Sequence, residues 1–284
     1  MIDQATELRR QVGRVAIPGR LPSGNCQVIA VTSGKGGVGK TYVVVNLALA
    51  LVRAGRKVVI LDGDFGLANV DVVLGLTPQH HLGHVIAGVQ SLRSIVMEGP
   101  EGIHVIPASS GIQELTELGE RKRQLLLAQL TDLVKDYDFL LIDTAAGISD
   151  NVIRLLNAAQ RVIVVSLPEP TAIVDAYALI KVLFRKDSGK DVHLLVNAAE
   201  DTGEAAEVHR QLAYVVDRFL GQRIGFLGSI PRDPKVGESV RRQEPLLISH
   251  PRTQTSRCFL RLAETLMKCR PAAAQLDRLF EQVG

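Results

Sequence analysis

QVIAVTSGKGGVGKTYVVVNLALALVR (27–53) holds an apolar run, a glycine-rich loop and a second, longer apolar run, in that order. The first run has the length and β-branched content of a buried strand, and the second reads as a helix. Between them, Gly34-Lys35-Gly36-Gly37-Val38-Gly39-Lys40-Thr41 satisfies G-x-x-x-x-G-K-[ST] in the strand–loop–helix setting that the pattern requires. Glycines let backbone N–H groups turn inward around phosphate oxygens, and the helix N-terminus adds the positive end of its dipole. Lys40 is expected to reach the β- and γ-phosphates and the Thr41 hydroxyl to coordinate Mg²⁺. A ligand-free glycine turn is the plain alternative, and the complete motif in its setting argues against it.

Working outward, further apolar strands alternate with helical patterns. KVVIL (57–61), IHVIP (103–107), DFLLI (138–142), RVIVVSL (161–167), DVHLLVN (191–197) and RIGFLGSI (223–230) are strand candidates. Several are apolar without alternation, as strands of a parallel sheet covered on both faces are. The expected fold is α/β: a doubly wound, mostly parallel sheet with helices on both faces and ligands at the carboxyl ends of the strands. With 46% hydrophobic but only 4% aromatic residues and no Trp, the core must be aliphatic. A net charge of +3 makes no demand for nucleic acid. Cys26, Cys258 and Cys269 form no CxxC pair, which fits neither a zinc site nor a disulfide framework and points to a reducing cytosol. Neither a signal peptide nor a membrane-spanning segment is expected. GRVAIPGRLPSGN (13–25) reads as a linker. It separates an N-terminal segment (1–12) from a nucleotide-binding domain (26–268) and a tail (269–284).

Lys35, directly after the first glycine, is poorly placed to serve phosphates inside its own loop. Pointing outward, it would reach a nucleotide held by a facing subunit, the logic of an arginine finger supplied in trans. Its bland reading is a solvated loop lysine. Asp62-Gly63-Asp64 ends the second strand, and two carboxylates near a phosphate loop suit magnesium waters and an attacking water. DFLLID ends at Asp143 before a small, flexible TAAG, the Walker B pattern of an apolar strand capped by a metal-holding carboxylate. His80, His81 and His84 have no accompanying carboxylate or cysteine and read as surface histidines rather than a metal site.

KGGVGKT resembles the signature of the MinD/ParA branch of deviant Walker A ATPases, and the resemblance runs from residue 27 to about 268. It implies an ATP/Mg²⁺-dependent homodimer with Lys35 working across the interface and Asp64, in switch I, positioning the catalytic water. It also implies adenine contacts from Asn197 and from the loop Pro231-Arg232-Asp233, and ATP rather than GTP, since no N/T-K-x-D motif is present. Tyr42 departs from the Thr or Ser common in relatives; its backbone N–H can still reach an α-phosphate, but the hydroxyl contact is in doubt. DFGLANVDVVLGL and LPEPTAIVDAYALIKVL look more like the flagellar number and placement ATPases of this branch (FlhG, or FleN) than like cell-division MinD.

The termini carry two further expectations. Asp3 as N-cap and the stripe of Ile2, Ala5, Leu8 and Val12 describe a helix too short to be stable alone. DQATELR matches the DQAxxLR activator motif of the FlhG family. The match implies docking on the signal-recognition-type GTPase FlhF, with Gln4 assisting the partner's site and Leu8 and Arg9 anchoring. In the tail, Leu276, Leu279, Phe280 and Val283 fall on one helical face beside Lys268, Arg270 and Arg278. Such a face either meets anionic lipid on the inner side of the cell membrane or packs on the domain itself.

The reading is an ATP-driven switch for flagellar number or location, slow in hydrolysis, with basal-body or C-ring components or a transcription factor as further partner classes. A ParA-like DNA-positioning module, using Arg241, Arg242, Arg252 and Arg257, and a metabolic P-loop ligase are the alternatives. The N-terminal motif argues against both.

Overall fold

The computed structural model describes residues 26–65, 69–108, 119–268 and Leu276. β1 (Gln27–Thr32) is buried along nearly its whole length. Val28 and Ala30 point into one apolar cluster while Ile29 and Val31 point into another, so a strand with no polar alternation is the one both faces require. β2 (Val58–Gly63), β3 (Met97–Glu98), β4 (His104–Ile106), β5 (Phe139–Thr144), β6 (Arg161–Ser166), β7 (Asp191–Ala199) and β8 (Gly225–Pro231) complete an eight-stranded sheet. Its order is β3-β4-β2-β5-β1-β6-β7-β8. Every pairing is parallel except β3 with β4. β1 lies inside the sheet, between β5 and β6, and the chain builds outward from it in both directions. The crevice above its carboxyl end is therefore the switch point where such sheets bind ligands.

α1 (Lys40–Arg53) follows the glycine loop, and its residues from Tyr42 through Leu51 are all buried. A helix that is apolar nearly all round is an internal one. It is covered by α10 (Gln254–Lys268), whose Phe259, Leu262, Ala263 and Leu266 share its cluster. On the opposite face lie α4 (Glu120–Leu133), α5 (Asp150–Ala158), α6 (Pro170–Lys186) and α7 (Thr202–Leu220). Short helices α2 (Val70–Leu74) and α3 (Leu82–Ile86) follow β2, and α8 (Pro234–Arg241) and α9 (Leu246–Ser249) follow β8.

The strands match the sequence expectation apart from ends shifted by one or two residues and one added strand. β2 runs on to Gly63 because Asp62 and Gly63 pair with Asp143 and Thr144, which sets two carboxylates side by side on neighbouring strands. β3 is an addition of two residues, too short to show a period. Among the described residues no helix is long and apolar enough to cross a membrane.

Candidate functional site

The loop after β1 is shaped by close approaches. A Cβ on Gly34 would lie 2.2 Å from the backbone oxygen of Asp175, so only glycine lets the loop pass against α6. Gly39, at φ 84°, N-caps α1 in the left-handed region; it supplies no side-chain cap, and no acidic residue occupies the first turn. The amide donors opening the helix are thus left for an anion. Asn197, on β7, donates its Nδ2 to the Val38 carbonyl at 2.8 Å and packs against Gly39, fixing the loop from two strands away. Ala198 beside it has φ 53°, a left-handed conformation uncommon for a non-glycine residue, at the irregularity of β7 between Val196 and Ala199.

Two buried carboxylates face this loop and differ in what holds them. Asp143 is 1% exposed, and Lys40 Nζ lies 3.7 Å from its Oδ1. Neither oxygen receives a hydrogen bond of normal geometry, although the Thr41 hydroxyl and the Lys40 ammonium face it. Burial pushes its carboxyl up to about 6, with Asp64 adding to the rise while Lys40 and Thr41 oppose it. A buried carboxylate with under-used oxygens beside a threonine hydroxyl is a fit donor set for Mg²⁺.

Asp62 is held differently. One oxygen accepts the amide of Asp64 at 3.0 Å, and the other accepts those of Asn69 and Val70 at 3.1 and 3.2 Å. Burial and the neighbouring Asp143 raise its carboxyl to about 7 against the pull of those amides. Asp62 is an anchor for the loop that carries Asp64, with one amide on Oδ1 and two on Oδ2. Asp64 itself stands near enough to Asp143 to raise its pKa.

Lys35 extends away from the phosphate loop to the start of α6, where its ammonium meets Glu169 Oε2 at 3.2 Å and Thr171 Oγ1 at 3.4 Å. Its side chain is 40% exposed and that of Glu169 52%, so the pair holds weakly. On the β8 side, the Arg232 amide donates to the Ala199 carbonyl at 2.8 Å, and Asp233 caps α8 by accepting from the Lys235 amide. Tyr42 turns its hydroxyl away from the phosphate loop and bonds it to Ser239 Oγ. The hydroxyl contact familiar from Thr or Ser at this place is accordingly missing. The rings of His80 and His81 both pack on His84, and among the described residues no cluster of His, Cys, Asp or Glu is arranged to hold a metal on its own.

The structure thus gathers Gly34, Lys40, Thr41, Asp64, Asp143 and Asn197 around one crevice. Leu276, on the stripe expected either to meet lipid or to pack on the domain, is 3% exposed within the apolar cluster of the α4–α7 face. Leu279, Phe280 and Val283 lie outside the described residues, as do Asp3, Gln4, Ala5, Leu8 and Arg9. Sequence reading missed Glu169, Thr171 and Ser239; the LPEPT stretch after β6 was noticed only as a likeness.

A family profile described as ParA, NUBPL iron-transfer P-loop NTPase, matches residues 25–267. The chain belongs to the ParA/MinD family of P-loop NTPases. The antiactivator FleN of Pseudomonas aeruginosa is 45% identical over 238 residues, 84% of this chain and 85% of that protein. The flagellum site-determining protein YlxH of Helicobacter pylori is 32% identical over 78% of this chain and 76% of its own length. Among solved structures, the septum site-determining protein MinD of Pyrococcus horikoshii, complexed with Mg-ADP, superposes with a TM-score of 0.70 at 27% identity. It covers 86% of this chain and 96% of that one. The chain shares with these relatives the fold that carries the strand and glycine loop.

Proposed function

We propose that this chain is an ATP-driven dimerisation switch that sets flagellar number or location. The observation that carries the mechanism is Lys35: a cation in the phosphate loop that, within its own chain, reaches α6 rather than the phosphate cradle. The flagellar assignment rests on the likeness to FleN and YlxH.

In this reading the loop amides and Lys40 bind the triphosphate, with the α1 dipole favouring its charge. Thr41 and Asp143 would hold Mg²⁺, which would supply positive charge against the phosphates. Asp64 orients the attacking water, and Asp62 holds the backbone that aims it. Asn197, through its grip on the phosphate loop, and the Pro231–Asp233 loop meet the adenine. Lys35 leaves Glu169 when a second subunit docks and stabilises charge on that subunit's nucleotide; the pair it abandons is exposed, costing about 0.2–1 kcal/mol, so the swap is easily reversed. Hydrolysis then acts as a timer that returns the dimer to monomers.

The N-terminal segment would stimulate an FlhF-type GTPase, folding as it docks. Steady-state hydrolysis against protein concentration tests the core of this reading. Specific activity should rise with concentration in wild type and stay flat and low in Lys35→Ala. A wild-type rate per chain that does not change with dilution would remove the shared site. A salt-sensitive, ATP-dependent affinity for DNA would instead bring the ParA-like alternative forward.

A further inference from the structure

Tyr42 sits in the first turn of α1, yet its ring runs sideways and is 8% exposed. Its hydroxyl meets Ser239, 197 positions away in sequence and fully buried. Ser239 Oγ donates to the Val236 carbonyl at 2.9 Å, so in the pair the tyrosine hydroxyl is the donor. One turn on, Asn46 donates to the Tyr42 carbonyl at 2.9 Å and accepts the Leu247 amide at 3.1 Å. The phosphate-loop helix is thus joined by two buried hydrogen bonds to the arm formed by α8 and α9.

α8 itself has little else in the body of the domain, whereas α9 buries Leu246 and Leu247. Ser239 is the one fully buried residue of α8; Val240 beside it is 47% exposed, and Lys235 and Arg242 pair with Glu238 on the surface. The loop Pro231–Asp233 enters α8 directly. It is held at its front by the Arg232–Ala199 backbone bond and at its rear through α8 by Ser239.

We propose that Tyr42 is a positioning residue that ties the base-side loop to the phosphate loop, so that the adenine end of the nucleotide meets a loop already set at the right distance. This rests on the reading above in which residues 231–233 meet the base. A side chain that contacts only the α-phosphate, as Thr or Ser would, provides no such link. Because the tie acts on the base side alone, it strengthens binding of ligands that carry a base and leaves bare polyphosphate unaffected.

The test is calorimetric titration of the full chain with Mg²⁺ and either a non-hydrolysable ATP analogue or inorganic tripolyphosphate, on wild type, Tyr42→Phe, Ser239→Ala and the double variant. Each single variant should weaken the ATP analogue by about three- to tenfold, the range for one net neutral hydrogen bond, and tripolyphosphate by less than about twofold. The double variant should match the singles, because both remove the same bond. Ser239→Ala keeps the test open if the Tyr42→Phe protein does not fold. Equal losses for both ligands would mean that Tyr42 merely supports the phosphate loop, and no loss for either would mean the bond positions nothing; each result overturns the proposal. Wild type binding tripolyphosphate as tightly as the ATP analogue would overturn the base-loop reading itself, and this inference with it.

Discussion

Gly34 and Gly36 stand two residues apart in the same loop and should answer very differently to one added methyl group. A Cβ at position 34 would lie 2.2 Å from the Asp175 oxygen, 2.3 Å from its carbonyl carbon and 2.8 Å from the Ala176 nitrogen. All three are backbone atoms of α6, which is locked by buried Ala172, Ala176, Leu179, Ile180 and Leu183. Relief to ordinary contact distance asks loop and helix to separate by roughly 1 Å, in an interior that transmits such a shift rather than absorbing it. Overpacking of this kind costs about 1–3 kcal/mol. In a chain of this size that lowers Tm by about 2–10 °C. At Gly36 a Cβ meets nothing within 4 Å, and its φ lies outside the left-handed region. Gly36→Ala should leave Tm within about 1 °C of wild type. Differential scanning calorimetry of the nucleotide-free proteins makes the comparison, and a fluorescent ADP analogue reports whether the displaced loop still binds. The reasoning fails if Gly34→Ala melts with wild type, or if the two variants fall together.

Three other outcomes are expected. Asn46→Ala leaves the buried Leu247 amide without its acceptor, and should cost about 1–3 kcal/mol in urea unfolding; an unchanged midpoint would show that the α1–α9 tie is not structural. Asp143→Asn keeps the shape but removes the charge, so the gain in ADP affinity on adding Mg²⁺ to chelator-treated protein should fall at least about tenfold; an undiminished gain would place the metal elsewhere. Asp191 is opposed by burial, but hydrogen bonds and charge from His193 and Arg161 prevail and hold its carboxyl at about 2. Its folded pKa lies below the ordinary aspartate value, so it stabilises above about pH 4 and stops doing so as pH falls toward 2. Asp191→Asn should therefore be less stable than wild type near neutrality by about 1 kcal/mol, allowing for solvent screening, with the gap closing over that acid range.

The parts of the fold that could be read in advance are those where one residue pattern has one physical solution. Apolar runs without alternation, as in β1, β5 and β6, have to be covered on both faces, and the glycine loop between strand and helix has a single known use. What escaped was decided by contacts distant in sequence. Sequence does not reveal that Asp62 also anchors its own loop, accepting amides up to eight residues on. Glu169 and Ser239 are 134 and 197 positions from the side chains they meet, and nothing local marks either. The Tyr42 substitution was visible as a departure, but its consequence needed the position of α8. An amphipathic stripe containing Leu276 suits a membrane and a protein core equally well, so the burial of that leucine could not be read from the sequence.

The central claim is that Lys35 completes a site in a second subunit. Size-exclusion chromatography with light scattering tests it on wild type, Asp64→Ala and Asp64→Ala/Lys35→Ala, each with Mg-ADP and Mg-ATP. The account predicts monomers with ADP, and dimers with ATP that persist in Asp64→Ala and are lost when Lys35 is also removed, although nucleotide remains bound. ATP-bound monomers throughout, or a dimer indifferent to Lys35, would contradict it.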